Sequence, residues 1–178
     1  MKLLTFVLAL AVSAGVAASA QQKSPGAGPI VVLETAKGII EFETYPEEAP
    51  KTVARIVELV KKNFYNGLRF HRAEPNFVVQ IGDPVTRDVS RQAWWGRQGS
   101  GKPIGVSEIT KKRRHLLGSV SMAHGSIPAD ADSQFFILRR AAPELDGKHV
   151  VFGKVLKGMD VVAKIQRGDV VKRAYVKE

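Results

Sequence analysis

Short apolar runs separated by turn-forming residues dominate the chain from about residue 30 onward. Several of these runs are rich in Val, Ile and Phe, which suit the half-buried surface of a β-sheet. The runs at 31–35 and 39–44 flank Ala36-Lys37-Gly38, and this arrangement predicts a β-hairpin. The pattern as a whole predicts eight strands, at residues 31–35, 39–44, 68–72, 77–81, 118–123, 134–138, 150–156 and 170–176.

Two segments carry a helical spacing of apolar residues instead. The first, at 50–62, places four of them on a single stripe: Val53, Ile56, Val57 and Val60. Glu47 and Glu48 precede it, where carboxylates favour the positive end of a helix. A shorter helix is predicted at 159–166. Eight strands and two helices indicate one mainly β domain, which we expect to be a closed eight-stranded antiparallel barrel with two capping α-helices.

The first twenty residues do not share this pattern. A lysine at position 2 precedes an apolar run, and Ala18-Ser19-Ala20 provides small residues before Gln21. These features predict a cleavable signal peptide at 1–20 and export to the periplasm or the medium, with a retained membrane anchor as the alternative. Residues 21–29 then form a flexible tether, and 30–178 the folded domain. No later segment is apolar enough to span a membrane.

The composition limits the kinds of catalytic and metal-binding site that the chain can form. The chain of 178 residues contains no cysteine, which excludes disulfides, thiolate metal sites and a cysteine nucleophile. No pair of its four histidines has the spacing of a zinc motif, so we expect neither metal nor cofactor. The net charge is +10, and residues 111–114 read Lys-Lys-Arg-Arg. Without a nucleic-acid-binding motif, this charge favours anionic surfaces or polymers over nucleic acid.

Four blocks bring polar and apolar residues together in a pattern that suits a binding site: 70–84, 118–125, 133–137 and 145–155. Alternation along a strand places Val78 and Gln80 on one face, and it does the same for Gln134 and Phe136. Arg72 lies just before the Pro75-Asn76 turn and could reach the same surface.

These blocks resemble the cyclophilins, the peptidyl-prolyl cis-trans isomerases. The strings FHR with PNFVVQ, SMA, SQFFI and LDGKHVVFGKV occur in the order and spacing of that family, over about residues 31–166. The resemblance implies an eight-stranded barrel with a proline-binding groove on its outer face. It also implies partners that are proline-containing polypeptides.

The resemblance also implies roles for individual residues. Arg72 resembles the catalytic arginine of the family, with Gln80 and Gln134 as polar neighbours and His71 as a groove histidine beside it. The walls of the proline pocket correspond to Phe77, Val78, Phe136 and Leu145. Ala123 and His124 correspond to a stretch whose backbone pairs with the substrate, and His149 to a second groove histidine. The side chains of His115 and His124 are interpreted as incidental.

Isomerisation requires no nucleophile. Rotation about a peptide C–N bond faces a resonance barrier of roughly 18–20 kcal/mol, and X-Pro bonds exchange over tens to hundreds of seconds. In the twisted state the proline nitrogen regains a lone pair, to which a guanidinium such as that of Arg72 can donate. We therefore expect a monomeric isomerase that assists the folding of exported proteins. A proline-binding chaperone or scaffold with little turnover is the alternative.

Two departures from the family pattern affect specificity. Glu144 stands where many members have a tryptophan that borders the groove, so cyclosporin binding is expected to be weak. The loop at 85–105, which contains Trp94 and Trp95, matches the family poorly.

Overall fold

The computed structural model describes residues 28–177, so the predicted signal peptide and residues 21–27 of the tether lie outside the described residues. Within them, no helix is both long and apolar enough to cross a membrane. One eight-stranded sheet forms from β1 (Ile30–Thr35), β2 (Gly38–Thr44), β3 (Arg72–Ala73), β4 (Val78–Ile81), β5 (Ser119–Met122), β6 (Phe135–Leu138), β7 (Val151–Lys157) and β8 (Val171–Lys177). The helices of this part of the chain are α1 (Pro50–Lys61) and α2 (Met159–Lys164), together with four short 3-10 segments, Pro84–Arg87, Val89–Trp94, Pro128–Asp130 and Pro143–Leu145.

The strands pair in the order β3-β4-β6-β5-β7-β2-β1-β8, and every pairing is antiparallel. The mainly β prediction and the hairpin of β1 and β2 are therefore confirmed. Closure of the barrel is not confirmed, because the sheet ends at β3 and β8. An isolated bridge between Arg69 and Val170 links these two edges.

The strand predicted at 68–72 is wrong in its extent, since β3 covers only Arg72 and Ala73. Upstream of β3, the backbone N–H of Arg69 donates to the hydroxyl of Thr86 at 3.0 Å. The N–H of Phe70 donates to the carbonyl of Asp169 at 2.9 Å. Gly67, Leu68 and Phe70 exchange backbone hydrogen bonds with residues 168–171. Only Arg69 and Val170 form a bridge there, so no continuous ladder joins β3 to β8.

Alternation divides the sheet into an inner and an outer face. Val79 and Ile81 of β4 point into the main core, where Phe135 and Ile137 of β6 also lie. Helix α1 covers this core with a stripe formed by Val53, Ile56, Leu59 and Val60. The outward positions of the same strands are therefore free to form a separate surface.

The amino end of α1 is capped from a distant part of the chain. The carboxylate of Glu108 accepts from the backbone N–H groups of Lys51 at 2.9 Å and Thr52 at 2.8 Å. The first turn of the helix contains no acidic residue, and Glu48 pairs with Arg113 instead. The negative charge that Glu47 and Glu48 were expected to place at this end of the helix is thus supplied by Glu108, nearly sixty positions away.

The long loop after β4 is organised by two carboxylates. Asp83 is fully buried and accepts from the backbone N–H groups of Gly96 at 2.6 Å and Arg97 at 3.1 Å. Asp132 accepts from the N–H of Gly101 at 2.8 Å and also bonds to Ser100 and Arg55. Carboxylates that accept several backbone donors in this way hold an irregular segment in place without a core of its own.

Candidate functional site

A second apolar cluster lies on the outer face of β4 and β6. Val78, Phe136, Leu138 and Ala142 form its buried part, with Phe77, Ala123 and Leu145 packed against it. An open pocket of about 200 Å³ lies over this cluster. It is lined by Arg72, Phe77, Val78, Gln80, Ala123, His124, Phe136, Leu145 and His149.

Arg72 lies at the edge of this pocket because β3 pairs with β4. The Cα atoms of Arg72 and Gln80 are direct partners in this ladder. The guanidinium donates to Glu74 Oε1 from Nε at 2.7 Å and to Gln80 Oε1 from Nη1 at 3.5 Å. Its Cζ lies 5.4 Å from the ring centroid of Phe77. These contacts orient a half-exposed cation along the pocket wall.

A chain of amide groups fixes Gln80 in turn. Gln80 Nε2 donates to Gln134 Oε1 at 2.9 Å, and Gln134 Nε2 donates to the carbonyls of Gly96 at 3.1 Å and Gln98 at 2.8 Å. With its N–H₂ group occupied in this way, Gln80 presents its oxygen to Arg72. The structure therefore connects the arginine to the long loop through two glutamines.

His149 forms part of the opposite wall. Its Nδ1 lies 3.0 Å from the carbonyl of Met122, and its ring meets that of Phe136 edge-on, at 5.4 Å between centroids. Burial lowers the pKa of His149, which favours the neutral ring on this side of the pocket.

His71, in contrast, does not line the pocket. Its side chain is 8% exposed, and neither ring nitrogen has a hydrogen-bond partner. Burial lowers its pKa to about 4, although the nearby carboxylate of Asp83 acts in the opposite direction. The structure thus places His71 in the packing behind Arg72, under the loop that contains Gly96. The other ten predicted site residues surround the pocket or, for Gln134, contact it through Gln80.

One buried network was missed by sequence reasoning. His115 is 1% exposed, and its Nδ1 lies 3.0 Å from Asp146 Oδ1 while its Nε2 lies 3.0 Å from Ser121 Oγ. The ring stacks on Phe136 at 6.3 Å between centroids, so the network supports the pocket from behind. The backbone N–H of His115 donates to Asp146 and lowers the pKa of this carboxyl group. In the sequence, only the position of Asp146, directly after the predicted pocket residue Leu145, points to this network.

Glu144 lies outside the pocket lining. Its carboxylate accepts from Arg140 Nη2 at 2.6 Å, and this bond lowers the pKa of Glu144. The Arg140 guanidinium is also 5.0 Å from the ring centroid of Phe77. An ion pair therefore lies beside the pocket at the position where many cyclophilins have a tryptophan.

A second cavity of about 330 Å³ adjoins the first and shares Gln80, Ala123 and His124 with it. In residues 28–177, no group of three or more histidine or acidic side chains could hold a metal ion. The arrangement can bind a small apolar ring and place guanidinium donors at its edge. An extended chain attached to that ring would continue into the second cavity.

Comparison with known proteins agrees with this geometry. Residues 30–178 match the model of the family described as cyclophilin type peptidyl-prolyl cis-trans isomerase/CLD. The chain is 41% identical over 137 residues to peptidyl-prolyl cis-trans isomerase B of Bacillus subtilis, covering 77% of this chain and 90% of that protein. It is 38% identical over 141 residues to a peptidyl-prolyl cis-trans isomerase of Helicobacter pylori, covering 78% and 81%.

A solved structure shares the fold. The crystal structure of a cyclophilin type peptidyl-prolyl cis-trans isomerase of Cryptosporidium parvum, determined in the presence of the dipeptide Ala-Pro, superposes with a TM-score of 0.72. The two sequences are 24% identical, and the match covers 84% of this chain and 99% of that one.

Proposed function

Since this chain belongs to the family of cyclophilin-type peptidyl-prolyl cis-trans isomerases, we propose that it accelerates X-Pro bond rotation through Arg72. The observation that carries this proposal is the guanidinium of Arg72, held by Glu74 and Gln80 at the edge of the apolar pocket. The proline ring occupies the pocket formed by Phe77, Val78, Phe136 and Leu145. The cryptosporidial structure with Ala-Pro supports substrates of this chemical class.

The chemical step changes no covalent bond. As the peptide twists, resonance is lost and the proline nitrogen becomes pyramidal, with a lone pair that the planar ground state does not offer. A donor from Arg72 then stabilises the twisted state more than either planar isomer, and such selective binding raises turnover. A guanidinium suits this role because it stays protonated at any physiological pH.

The neighbours of Arg72 have positioning roles in this proposal. Gln80 accepts from the guanidinium, and Gln134 holds Gln80 in the orientation that makes this possible. The cation consequently meets the substrate with less reorganisation than a free surface arginine would require. His71 contributes through packing behind this group, since both its ring nitrogens are buried without partners.

We test the role of Arg72 with two arginines that share one aromatic neighbour. Arg72→Ala should lower turnover of an Ala-Pro peptide about a hundredfold, the order found when a donor to a transition state is removed. Arg140→Ala is the matched control, because Arg140 also contacts the ring of Phe77 but does not line the pocket. It should stay within about threefold of wild type. Equal turnover of a folded Arg72→Ala protein and wild type would refute the mechanism.

The cellular role follows from the amino-terminal pattern. We propose that residues 1–20 direct export, that the mature monomer acts in the periplasm or the medium, and that its clients are exported proteins. Fractionation of cells followed by amino-terminal sequencing should find mature protein that begins at Gln21. Uncleaved protein in the cytoplasm would contradict export, and uncleaved protein in the membrane would favour the anchor.

A further inference from the structure

A tight turn between the basic run at 111–114 and β5 presents two leucines to solvent. Leu116 is 52% exposed and Leu117 is 54% exposed. The carbonyl of Leu116 accepts from the backbone N–H of Ser119 at 3.0 Å, and Gly118 has a φ of +80°, as the third residue of such a turn requires. Small or polar residues usually occupy turns, so two exposed leucines make this leucine turn, residues 116–119, unusual.

Polar contacts on the inner side hold the leucine turn in place. The backbone N–H of His115 donates to Asp146 Oδ1 at 2.7 Å, and its ring Nε2 lies 3.0 Å from Ser121 Oγ. The hydroxyl of Ser119 accepts from the N–H of Leu116 at 3.0 Å. Because the backbone is already fixed, covering the two leucines with a partner requires no further ordering of the turn.

Further exposed apolar side chains lie beside the leucine turn. The carbonyl of Gly118 accepts from the N–H of Val155 at 2.8 Å, which brings the next residue, Leu156, close to the turn. Leu156 is 46% exposed. The backbone of Gly158, two residues further on, packs against the carbonyl of Ile39, whose side chain is half-exposed. Four half-exposed apolar side chains therefore share one region of the surface, and such a patch on a folded domain indicates an interaction site.

Basic side chains surround this apolar patch. Lys111, Lys112 and Arg114 precede the leucine turn, and Lys154 and Lys157 lie on β7 around its exposed leucine. All five are exposed, and together we call them the basic border. Within residues 28–177, the side chains of Lys111 and Lys112 take part in no ion pair.

The acidic groups of this region do not cancel the basic border. Asp146 pairs with Arg114 at 3.2 Å. Glu41 pairs with Lys177 at 3.0 Å and lies 3.9 Å from Lys157. Asp160, just beyond the patch, pairs with Lys164 at 3.4 Å. Positive charge thus remains in excess around the four apolar side chains.

This combination of charge and apolar area selects one kind of partner. A second copy, docked through the same surface, would bring two basic borders together and cause repulsion. A nucleic acid or an acidic polymer would neutralise the lysines but leave the leucines uncovered. An anionic bilayer surface satisfies both features, because its headgroups attract the basic side chains while the boundary of the acyl chains accepts the leucines.

We propose that Leu116, Leu117, Leu156 and Ile39, with the basic border, dock the folded domain on membranes that contain anionic phospholipid. None of these four side chains lines either cavity, so the proline pocket stays accessible on a docked molecule. Each basic residue near an anionic surface strengthens binding about fivefold, and insertion of two half-exposed leucines strengthens it roughly tenfold. The proposal does not depend on proline turnover.

Sedimentation with lipid vesicles tests the docking. The full chain and its full-chain variants share residues 1–20, so any contribution from these residues is common to all samples. At low salt, wild type should bind phosphatidylcholine vesicles that contain about one-third phosphatidylglycerol, and bind pure phosphatidylcholine far more weakly. The double variant Leu116→Ser with Leu117→Ser should bind the anionic vesicles roughly tenfold more weakly. Lys111→Gln with Lys112→Gln should weaken binding about twentyfold, and this difference should shrink at high salt.

Matched controls remove the same chemistry elsewhere. Ile127→Ser deletes an exposed apolar side chain whose chain neighbours carry no basic group, and it should change binding less than about twofold. Lys61→Gln with Lys62→Gln deletes two exposed charges at the end of α1, and binding should stay within about threefold of wild type. Circular dichroism verifies that each variant is folded.

Methyl NMR on wild type locates the contact without any substitution. A spin label carried by the vesicle lipid should broaden the methyl signals of Leu116 and Leu117 more than the signal of Ile127. No preference for anionic vesicles, or equal broadening at the three residues, would overturn the inference. Equal vesicle binding by wild type and the leucine double variant would assign the basic border to an acidic polymer instead. A wild-type dimer that the same variant makes monomeric would assign the patch to a second copy.

Discussion

Acidification from pH 7 to pH 5 should destabilise the wild-type fold more than it destabilises a His71→Gln variant. His71 is 8% exposed, both its ring nitrogens lack partners, and its pKa in the folded protein is about 4 against an ordinary value of 6.5. The unfolded chain therefore takes up this proton near pH 6.5, whereas the folded protein resists it until about pH 4. The stability that the neutral ring contributes is present above pH 6.5 and is lost as the pH falls through this window.

The size of the effect follows from the difference between the two pKa values. At pH 5 this ring lowers the free energy of unfolding by about 2 kcal/mol relative to neutral pH. The decrease approaches about 3 kcal/mol near pH 4. Urea unfolding followed by circular dichroism at pH 7, 6 and 5 measures it. The carboxyl groups with lowered pKa values, those of Glu58, Asp88, Glu144 and Asp146, are still ionised in the folded protein at pH 5.

The comparison with His71→Gln isolates one ring, because the two proteins share every other ionisable group. The variant should lose about 2 kcal/mol less than wild type between pH 7 and pH 5. Its stability at pH 7 provides the baseline, since glutamine changes the packing under Gly96 at every pH. Equal losses in the two proteins would refute the assignment of a buried neutral ring to His71.

Three further outcomes are expected. Cyclosporin should bind weakly, and Glu144→Trp should tighten it with little change in short-peptide turnover, because an indole offers apolar area and an N–H that a carboxylate lacks; equal affinities by titration would contradict this. Activity should survive exhaustive treatment with EDTA, and a loss that zinc restores would reveal a metal site. Glu74→Gln should lower kcat/KM less than about threefold, because Glu74 helps to orient the Arg72 guanidinium but their ion pair is half exposed. A tenfold decrease would contradict this limit, and an increase would contradict the orienting role of Glu74.

The alternation of inward-facing and outward-facing residues along the strands predicted most of the fold. Val79 and Ile81 point inward while Val78 and Gln80 point outward and line the outer pocket, as a period of two requires. The extent of the third strand could not be predicted, because it depends on partners such as Thr86 that follow it in a loop. Closure of the predicted barrel is not confirmed, since the sheet ends at β3 and β8.

Long-range polar contacts account for what the sequence could not predict. Glu108 caps α1 from more than fifty residues away, and the loop after β4 takes its shape from Asp83 and Asp132. Neither contact has a local pattern that distinguishes it from ordinary surface charge. His115 was interpreted as incidental because its partners, Ser121 and Asp146, are brought together only by the folded sheet.

The exchange rate of a bound Ala-Pro peptide tests the role of Arg72 most directly. NMR exchange spectroscopy at saturating enzyme separates rotation on the enzyme from substrate affinity, which a titration of the same peptide measures. Arg72→Ala should slow the bound exchange about a hundredfold and change the dissociation constant less than about threefold, because the donor acts on the twisted state. Unchanged bound exchange, or a loss confined to the dissociation constant, would contradict the account.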